Sequence, residues 1–294
     1  MAAAATAGGL RLEHGVGGGG IPSGLPVLAG EAAVFPASSH LTFERRGPWL
    51  SAESGEQIIG AITASLAHGR ISDTIHGVYR DLFTATEGWS LYRIWTFVPR
   101  INRQTDGLEN YQAFCVGRYE AFRGQFGDAA QEFMPAASAV GTDAPDFVAW
   151  FVGGRSAGTN IENPLQIPAY RYPAIHSPQP PAFSRATRVE SARRLFVSGT
   201  SSIRGHTTME PKNVGAQLEV TLENLREVFQ VSRVSPEEGR SSCATVYLRQ
   251  AADLDLVRDA LRRDGLFSRT TMTFLRADIC RSELDIEIEC DVNF

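Results

Sequence analysis

The sequence predicts an α+β protein made of two similar halves. Segments with the period-2 alternation of strands are interleaved with segments that carry apolar residues at helical spacing. The order strand, strand, helix, strand, helix, strand, strand occurs once in the first half and again in the second. A chain of 294 residues, 43% hydrophobic and 21% charged, is long enough for two medium domains. We therefore expect two tandem α+β domains.

The domain boundaries follow from shifts in composition. Residues 1–36 include four consecutive glycines and little that packs, so we expect a flexible tail. Residues 37–155 and 188–294 are the predicted domains, joined by a connector at 156–187. The connector is rich in proline, lacks periodicity and is too apolar for a solvated linker. A loop this long inside a compact protein is usually functional, so we expect it to line a site.

The elements of the first half are predicted by local pattern. Residues 91–98 are aromatic and β-branched, typical of a strand, and Pro99 ends them. Residues 108–122 have apolar residues at helical spacing, and Tyr111 and Arg118 lie two turns apart on nearly one face. The other predicted elements are a strand at 41–44, a helix at 54–66, a turn at 102–107 and a strand pair at 136–140 and 147–152.

The second half centres on residues 194–229. A short apolar strand at 195–198 breaks at Gly199, which ends a strand without steric cost and lets the backbone approach a ligand. A polar loop with Arg204 and His206 follows, and then an amphipathic helix at 213–229. The remaining predicted elements are a strand at 245–249, a helix at 254–263 and a closing strand pair at 271–277 and 285–290.

Charge and cysteine usage exclude several classes of function. The net charge of −5 offers no overall basic surface for nucleic acid, so an anionic ligand requires arginines gathered locally. The four cysteines form no CxxC pair and no zinc spacing with histidine. No signal peptide or transmembrane span is expected. We therefore expect a cytoplasmic protein without cofactor, metal, nucleic-acid or membrane partner, as a monomer or a pseudo-symmetric small oligomer.

The last predicted strand carries acids at alternate positions. Asp285, Glu287 and Glu289 point to one face, while Ile286 and Ile288 point to the other. The ordinary interpretation of such a face is solvation, and the pattern alone does not choose one acid as functional.

Six segments, in order, resemble the chorismatase family. They are RIWTFVPRIN at 93–102, ENYQAFCVGRYEAF at 109–122, SAGTNIENPLQIPAYRYP at 156–173, FSRA at 183–186, FVSGTSSIRGH at 196–206 and ADICRSELDIEIE at 277–289. The second half also resembles the reactive-intermediate deaminase fold, through Ser198-Gly199, the helix at 216–225 and the strand IEIE at 286–289. The resemblance implies two tandem deaminase-like domains, each a mixed sheet with two helices on one face.

The resemblance also implies an activity and a site between the domains. Chorismatases remove the enolpyruvyl group of chorismate as pyruvate, and the step begins when a carboxylic acid protonates the enol ether. A carboxyl group that is still protonated near neutral pH can do this, and burial provides such a group. By resemblance the acid is Glu287, the carboxylate clamps are Arg118 and Arg171, and Tyr111 and Tyr172 supply hydroxyl groups. Gly199 exposes backbone N–H groups to the ligand, and Arg204 is a weaker binding candidate.

The product depends on which group attacks the ring carbon when the enolpyruvyl group leaves. By resemblance to the family, the residues at positions 201 and 280 determine this. Cys280 resembles the hydroxybenzoate-forming group, which favours 3-hydroxybenzoate. Ser201 stands where relatives carry Ala or Gly. Alternative products are 3,4-dihydroxycyclohexa-1,5-diene carboxylate, by hydrolysis, and 4-hydroxybenzoate. Two other functions stay open: an imine hydrolase of the deaminase type and a non-catalytic module that binds aromatic carboxylates.

The connector departs from the family at residues 175–179. They read IHSPQ where the family has a sequence similar to YGPR. A supporting Tyr and Arg of the family are therefore not found at these positions.

Overall fold

The computed structural model describes residues 12–13, 21–30 and 41–294. The first half contains β1 (Val27–Ala29), β2 (Glu44–Arg46), β3 (Trp49–Ser54), β4 (Gln57–Ser65), α1 (Ile71–Ala85), β5 (Ser90–Pro99), α2 (Asn110–Phe126), β6 (Ala136–Thr142) and β7 (Asp146–Gly154). The second contains β8 (Thr159–Ile161), β9 (Ala186–Val189), β10 (Arg194–Thr200), α3 (Val214–Ser232), β11 (Ser241–Leu248), α4 (Leu254–Asp264), β12 (Thr271–Arg276) and β13 (Ile286–Asn293).

Several shorter pieces complete the secondary structure. Two-residue strands pair Leu12–Glu13 with Ile21–Pro22, Gln104–Thr105 with Leu108–Glu109, and Ile203–Arg204 with Thr207–Thr208. Short 3₁₀ helices lie at Gly127–Phe133, Ala169–Arg171 and Ala251–Asp253. Within the described ranges, no helix is long and apolar enough to cross a bilayer.

The two sheets have the same core topology. The first has the order β6-β5-β7-β4-β3-β2, and the second has the order β8-β9-β10-β13-β11-β12-β1. In each, one parallel pair, β6 with β5 or β12 with β11, adjoins strands that otherwise pair antiparallel. Along the chain, α1 and α2 follow the same strands of the first sheet as α3 and α4 follow in the second. The predicted α+β fold with an internal repeat is confirmed.

The core has three layers of apolar contact. The helices α1 and α2 cover one face of the first sheet, and α3 and α4 cover one face of the second. The opposite faces of the two sheets meet in a third cluster, which includes Trp150, Phe196 and Tyr247. Fully burying each such aromatic side chain contributes about 1.5–3 kcal/mol. The two sheets are therefore joined by a buried interface, and a cavity forms at its margin.

The prediction of a helix at 54–66 is wrong, because most of these residues, Gln57–Ser65, form strand β4. Ile58 and Ile62 pack toward the helices, whereas Ile59 and Ala61 pack toward the second sheet. A strand buried on both faces shows no alternation, so its isoleucines also fit a helical spacing. Gly60 permits the close packing of this strand, because a Cβ there would lie 2.5 Å from the Phe151 ring and 2.7 Å from the Leu50 carbonyl oxygen of the neighbouring strand.

The helix required before β5 is α1, which the sequence analysis did not predict. It buries Ile71, Ile75, Val78, Tyr79 and Leu82 on one side. These positions follow the i, i+4, i+7 pattern of an amphipathic helix, so the signal was present in the sequence.

Three further boundaries differ from expectation. Val27–Ala29, inside the predicted flexible tail, form an edge strand that pairs with β12, so this part is ordered. The rest of the tail, apart from residues 12–13 and 21–30, lies outside the described residues. The strand expected at 41–44 begins at Glu44. The connector contains one short strand, β8, which pairs with β9.

Candidate active site

A cavity of about 210 Å³ lies where α2 and β6 of the first half meet the connector and the second sheet. Backbone contacts fix this junction. Ala137 N donates to Ser198 Oγ at 2.8 Å, and Gly141 N donates to the Asp278 carbonyl at 2.7 Å. Seven of the predicted site residues line the cavity: Tyr111, Arg118, Tyr172, Gly199, Ser201, Cys280 and Glu287. The cavity therefore receives groups from both halves and from the connector, as expected.

Glu287 lies in β13 with its side chain toward the cavity and only 4% exposed. Its neighbours Ile286 and Ile288 pack on the opposite face, under α3 and α4. Burial, and after it the charge of Glu289, raise the pKa of the Glu287 carboxyl to about 8, although the positive charges of Arg93 and Arg185 oppose the shift. A carboxyl group with this pKa is mostly protonated at neutral pH and can act as an acid.

The hydrogen bonds around Glu287 agree with a protonated carboxyl group. Ser201 Oγ lies 3.4 Å from Glu287 Oε2 and 2.9 Å from the Ile286 carbonyl oxygen. Because a carbonyl oxygen only accepts, the single hydroxyl proton of Ser201 belongs mainly to the shorter contact. The longer contact from Ser201 Oγ to Glu287 Oε2 is therefore a weak donation, and it opposes the rise of the Glu287 pKa only in part. The described residues give Glu287 no other hydrogen-bond partner, so an ionised carboxylate would be poorly solvated here.

The other two acids of the strand have partners of their own. Asp285 lies 3.6 Å from the Lys212 ammonium and 3.9 Å from Arg249 Nε. Glu289 accepts from Arg93 Nη2 at 2.6 Å, and from Trp95 Nε1 and Tyr247 OH, each at 3.0 Å. All three acids are buried, contrary to the solvated face that is ordinary for such a pattern. Of the three, Glu287 alone lines the cavity.

Arg118 brings a buried positive charge to the same cavity. It is 2% exposed, and its guanidinium carbon lies 5.1 Å from the centre of the Tyr79 ring. Within the described part of the chain, its Nε and Nη2 atoms have no hydrogen-bond partner. A buried guanidinium without a counter-charge is costly, and an anionic ligand in the cavity would supply one.

Arg185 is a second buried cation in the cavity, and the sequence analysis did not name it as a site residue. It is 3% exposed, and its Nη2 donates to the Tyr172 hydroxyl at 2.8 Å and to the Ile167 carbonyl at 3.1 Å. The Tyr172 hydroxyl accepts in this bond, which leaves its own proton free to donate. The signal in the sequence is the FSRA segment at 183–186, one of the six that resemble the chorismatase family.

Arg171 does not line the cavity in this structure, so its expected role as a carboxylate clamp stays a prediction without structural support. It ends the short helix Ala169–Arg171, is exposed, and lies over the Tyr170 ring at 5.7 Å. Tyr172, the next residue, turns inward and lines the cavity. Adjacent residues of an extended connector point in different directions, which explains why only one of the two reaches the site.

Arg204 is also absent from the cavity lining, so its expected role as a weaker binding residue stays a prediction without structural support. It pairs with Glu223 of α3 and donates to the Asn224 side chain. These contacts hold the loop after β10 against the helix, which is a structural role.

Comparison with known proteins identifies the family of the chain. A chorismatase of Streptomyces rapamycinicus is 37% identical over 237 residues, which are 75% of this chain and 70% of that protein. The chain belongs to the chorismatase family. The family model described as chorismatase FkbO/Hyg5-like, N-terminal, matches residues 33–152. The predicted resemblance is confirmed.

Two other similarities extend this result. A 3-hydroxybenzoate synthase of Streptomyces hygroscopicus is 33% identical over 241 residues, 75% of this chain and 69% of that protein. A crystal structure of a chorismatase matches with a TM-score of 0.79 at 28% identity, covering 98% of this chain and 94% of the other. The similarity to the chorismatase fold therefore includes both halves and the connector.

The cavity wall at residues 175–177 differs from the sequence expected for a chorismatase. His176 Nε2 lies 3.0 Å from His206 Nδ1, and Gln112 Nε2 donates to the His176 carbonyl at 3.0 Å. Arg281 donates to the His206 carbonyl at 2.9 Å, and its guanidinium carbon lies 5.5 Å from the Tyr172 ring centre. Burial and the charge of Arg281 lower the pKa of His176. This wall supplies a third arginine, which sequence reasoning also missed.

Cys280 lines the cavity as a neutral thiol. Burial, and then the charge of Glu287, raise its pKa to about 12. A thiol with this pKa is not a nucleophile near neutral pH, because the thiolate is the reactive form. Its contribution to a chorismatase cavity is therefore its shape and its apolar surface.

Gly199 allows the close approach of β10 to the acid. A Cβ at this position would collide with Glu287 Oε1 and lie 2.9 Å from Ser138 Oγ. We predict that Gly199→Ala displaces the Glu287 side chain and lowers kcat by about 10²-fold, as misplacements of about 1 Å do. Gly215→Ala is the matched control, because a Cβ there would lie 3.8 Å from Asn213 Oδ1. Equal kcat values in the two folded variants would contradict the prediction.

Proposed function

We propose that the protein cleaves chorismate, releases the enolpyruvyl group as pyruvate, and uses Glu287 as the general acid. The observation that carries the proposal is a buried carboxyl group, that of Glu287, in the same cavity as the buried guanidinium of Arg118, whose Nε and Nη2 have no hydrogen-bond partner among the described residues. Burial raises the pKa of this carboxyl to about 8. The first group supplies a proton to a substrate, and the second requires an anion. The relatives named chorismatase support the same activity.

The charges of the cavity suit a dianionic substrate. Chorismate carries two carboxylates, and the cavity is lined by three arginines, Arg118, Arg185 and Arg281, besides the acids Glu109, Glu283 and Glu287. A guanidinium group binds a carboxylate with two parallel hydrogen bonds, which fixes its orientation as well as its position. Arg118 is the clamp on the side of α2, and Arg185, steadied by Tyr172, is the clamp on the side of the connector.

Proton transfer from Glu287 to the terminal methylene carbon starts the reaction. The methylene becomes a methyl group, and an oxocarbenium ion forms at the ether carbon. The bond between the ring carbon and the ether oxygen then breaks, its electron pair stays with the oxygen, and pyruvate leaves. The cation left on the ring is captured by the neighbouring ring hydroxyl, which gives an arene oxide and returns a proton to Glu287. Ring opening with loss of a ring proton yields 3-hydroxybenzoate, so no water is consumed.

The alternative is capture of the ring by water, which gives 3,4-dihydroxycyclohexa-1,5-diene carboxylate. The 3-hydroxybenzoate route is supported by Cys280 and by the relative named 3-hydroxybenzoate synthase. It is also supported by the hydrogen bond of Ser201 to the Ile286 carbonyl, since this bond uses the proton that Ser201 would donate to a water.

The proposed activity is tested by incubating the purified protein with chorismate in the presence of a chelator. We expect stoichiometric pyruvate, measured with a coupled dehydrogenase, and 3-hydroxybenzoate, measured by chromatography. Loss of pyruvate release in the Glu287→Gln variant is the control for the assignment. A protein that is folded yet releases no pyruvate, or that needs an added metal, would contradict the proposal.

The route after cleavage is tested in ¹⁸O-labelled water. Intramolecular capture keeps the oxygen of the substrate ring, so we expect no label at the ring hydroxyl of the product. A labelled ring hydroxyl, or dihydroxycyclohexadiene carboxylate as the main product, would establish hydrolysis. A main product of 4-hydroxybenzoate would contradict the assigned regiochemistry but not the role of Glu287, because protonation precedes the branch.

A further inference from the structure

Ser138 lies in β6 between the two acids Glu287 and Glu289, and it lines the cavity. Its hydroxyl accepts from Arg93 Nη2 at 2.5 Å and from the Gly199 backbone N–H at 2.8 Å. It donates to Glu289 Oε2 at 2.5 Å. A serine hydroxyl has one proton and two lone pairs, so these three bonds use its full capacity.

Glu289 differs from Glu287 in the number of hydrogen-bond donors around its carboxyl group. Besides Ser138, it accepts from Arg93, Trp95 and Tyr247, so both of its oxygens are satisfied as an ionised carboxylate. Glu287 stands two residues earlier on the same face of β13 and receives no comparable set of donors from the described residues. The two carboxyl groups therefore have different environments, and Ser138 lies at the boundary between them.

We propose that Ser138 is a positioning residue that keeps Glu287 in the acid form by holding two neighbouring donors away from it and by giving its own proton to Glu289. Its lone pairs hold the Gly199 N–H and one Arg93 N–H, and its proton goes to Glu289. This inference rests on the proposed function of Glu287 as the general acid. It adds the structural device that keeps the proton on that acid.

Gly199 is the group that links Ser138 to Glu287 most directly. The collision of a Cβ at Gly199 with Glu287 Oε1 shows how closely the carboxyl group approaches this backbone. If Ser138 did not accept from the Gly199 N–H, this donor would be left free close to the Glu287 carboxyl group. A donated N–H favours the ionised form of a carboxyl group, and that form cannot protonate a substrate.

The charged and titratable groups that interact with Glu287 come from three strands and two loop segments. They are Glu289 on its own strand, Arg93 in β5, Tyr247 in β11, Arg185 before β9 and Cys280 after β12. The phenol of Tyr247 and the thiol of Cys280 are neutral near pH 8, because burial raises the pKa of each. The groups whose charge acts on Glu287 in that range are therefore Glu289, Arg93 and Arg185.

The test is the pH dependence of kcat/KM for pyruvate release. Removing the hydroxyl in Ser138→Ala frees the Gly199 and Arg93 donors beside Glu287, so its pKa falls. On the alkaline limb of the pH–rate profile, where kcat/KM falls, we expect the midpoint to shift to lower pH by at least about one unit. Glu289→Gln removes the neighbouring negative charge and should move the limb in the same direction. Ser138→Thr keeps the hydroxyl and should restore the limb toward the wild-type position.

Thr96→Val is the matched control. Thr96 is also a buried hydroxyl of the first sheet, but it faces the helices, where it lies 3.4 Å from the Tyr79 hydroxyl. Its loss should lower stability without moving the limb. A folded Ser138→Ala protein whose limb stays at the wild-type pH, or moves up, would overturn the inference and leave Ser138 with a structural role only.

A second readout separates this inference from the proposed function. In protein labelled with ¹³C at the glutamate carboxyl carbons, the Glu287 resonance is the one missing from Glu287→Gln. Its titration midpoint can be followed without substrate, and it should fall in Ser138→Ala. A wild-type protein that releases no pyruvate would refute the proposed function, whereas an unchanged midpoint in Ser138→Ala would refute the inference alone.

Discussion

Replacing Glu287 by Gln is expected to lower kcat by about 10²- to 10⁴-fold, the usual contribution of general acid catalysis. Gln has nearly the same shape and fits beside Gly199, but it has no proton to give to the methylene carbon. Binding depends on the arginines, so the dissociation constant for chorismate should change little. Turnover is measured by pyruvate release, and binding is measured by calorimetry with the inactive variant.

Asp285→Asn is the matched control for this substitution. Asp285 is a buried acid of the same segment, but its carboxylate faces Lys212 and Arg249 rather than the cavity. The control should keep kcat within a few-fold of wild type if it is folded. A loss in Asp285→Asn equal to that in Glu287→Gln would show that any change in this strand disables the protein, and would withdraw support from Glu287.

The pH profile gives a separate check on the same acid. Because burial raises the pKa of Glu287 to about 8, the active protonated form dominates below this pH. Activity should therefore fall as the pH rises through about 8, and not as it falls through the ordinary range of a carboxyl group near 4. A profile that is flat from pH 6 to 10 would contradict a carboxylic acid as the proton donor.

The architecture could be predicted from the order of the elements, but individual elements with two buried faces could not. The strand β4 has apolar residues on both sides, since one side packs under helices and the other packs against the second sheet. Its sequence lacks the alternation that distinguishes strands from helices. The partner sheet that buries the second face is distant in sequence, so no local pattern reports it.

The location of the acid could be predicted better than the locations of the arginines. A strand has a fixed alternation, so Asp285, Glu287 and Glu289 were expected on one face, although the choice of Glu287 came from the resemblance. The connector has no regular repeat, and the direction of its side chains is set by tertiary contacts. For this reason Arg171 was expected in the site and is exposed, whereas Arg185 is buried in it.

The arginines give the second large expected effect. Arg118→Lys and Arg185→Lys should each raise KM for chorismate by at least about tenfold, a loss of about 1.4 kcal/mol. The ammonium group of Lys is a point charge and cannot reproduce two parallel hydrogen bonds to a carboxylate. Arg118 should also be the more sensitive of the two, because its Nε and Nη2 have no protein partner among the described residues and so depend on the ligand.

Arg171→Lys is the matched control for both substitutions, since it makes the same chemical change in the same segment of chain as Arg185→Lys. Arg171 is exposed and lies over Tyr170, so its replacement should leave KM within about twofold of wild type. The comparison decides between two assignments of the second clamp. A larger rise of KM in Arg171→Lys than in Arg185→Lys would mean that the connector rearranges when substrate binds and brings Arg171 into the cavity. A rise confined to Arg118→Lys and Arg185→Lys would support a substrate held between α2 and the connector, with its enol ether directed at Glu287.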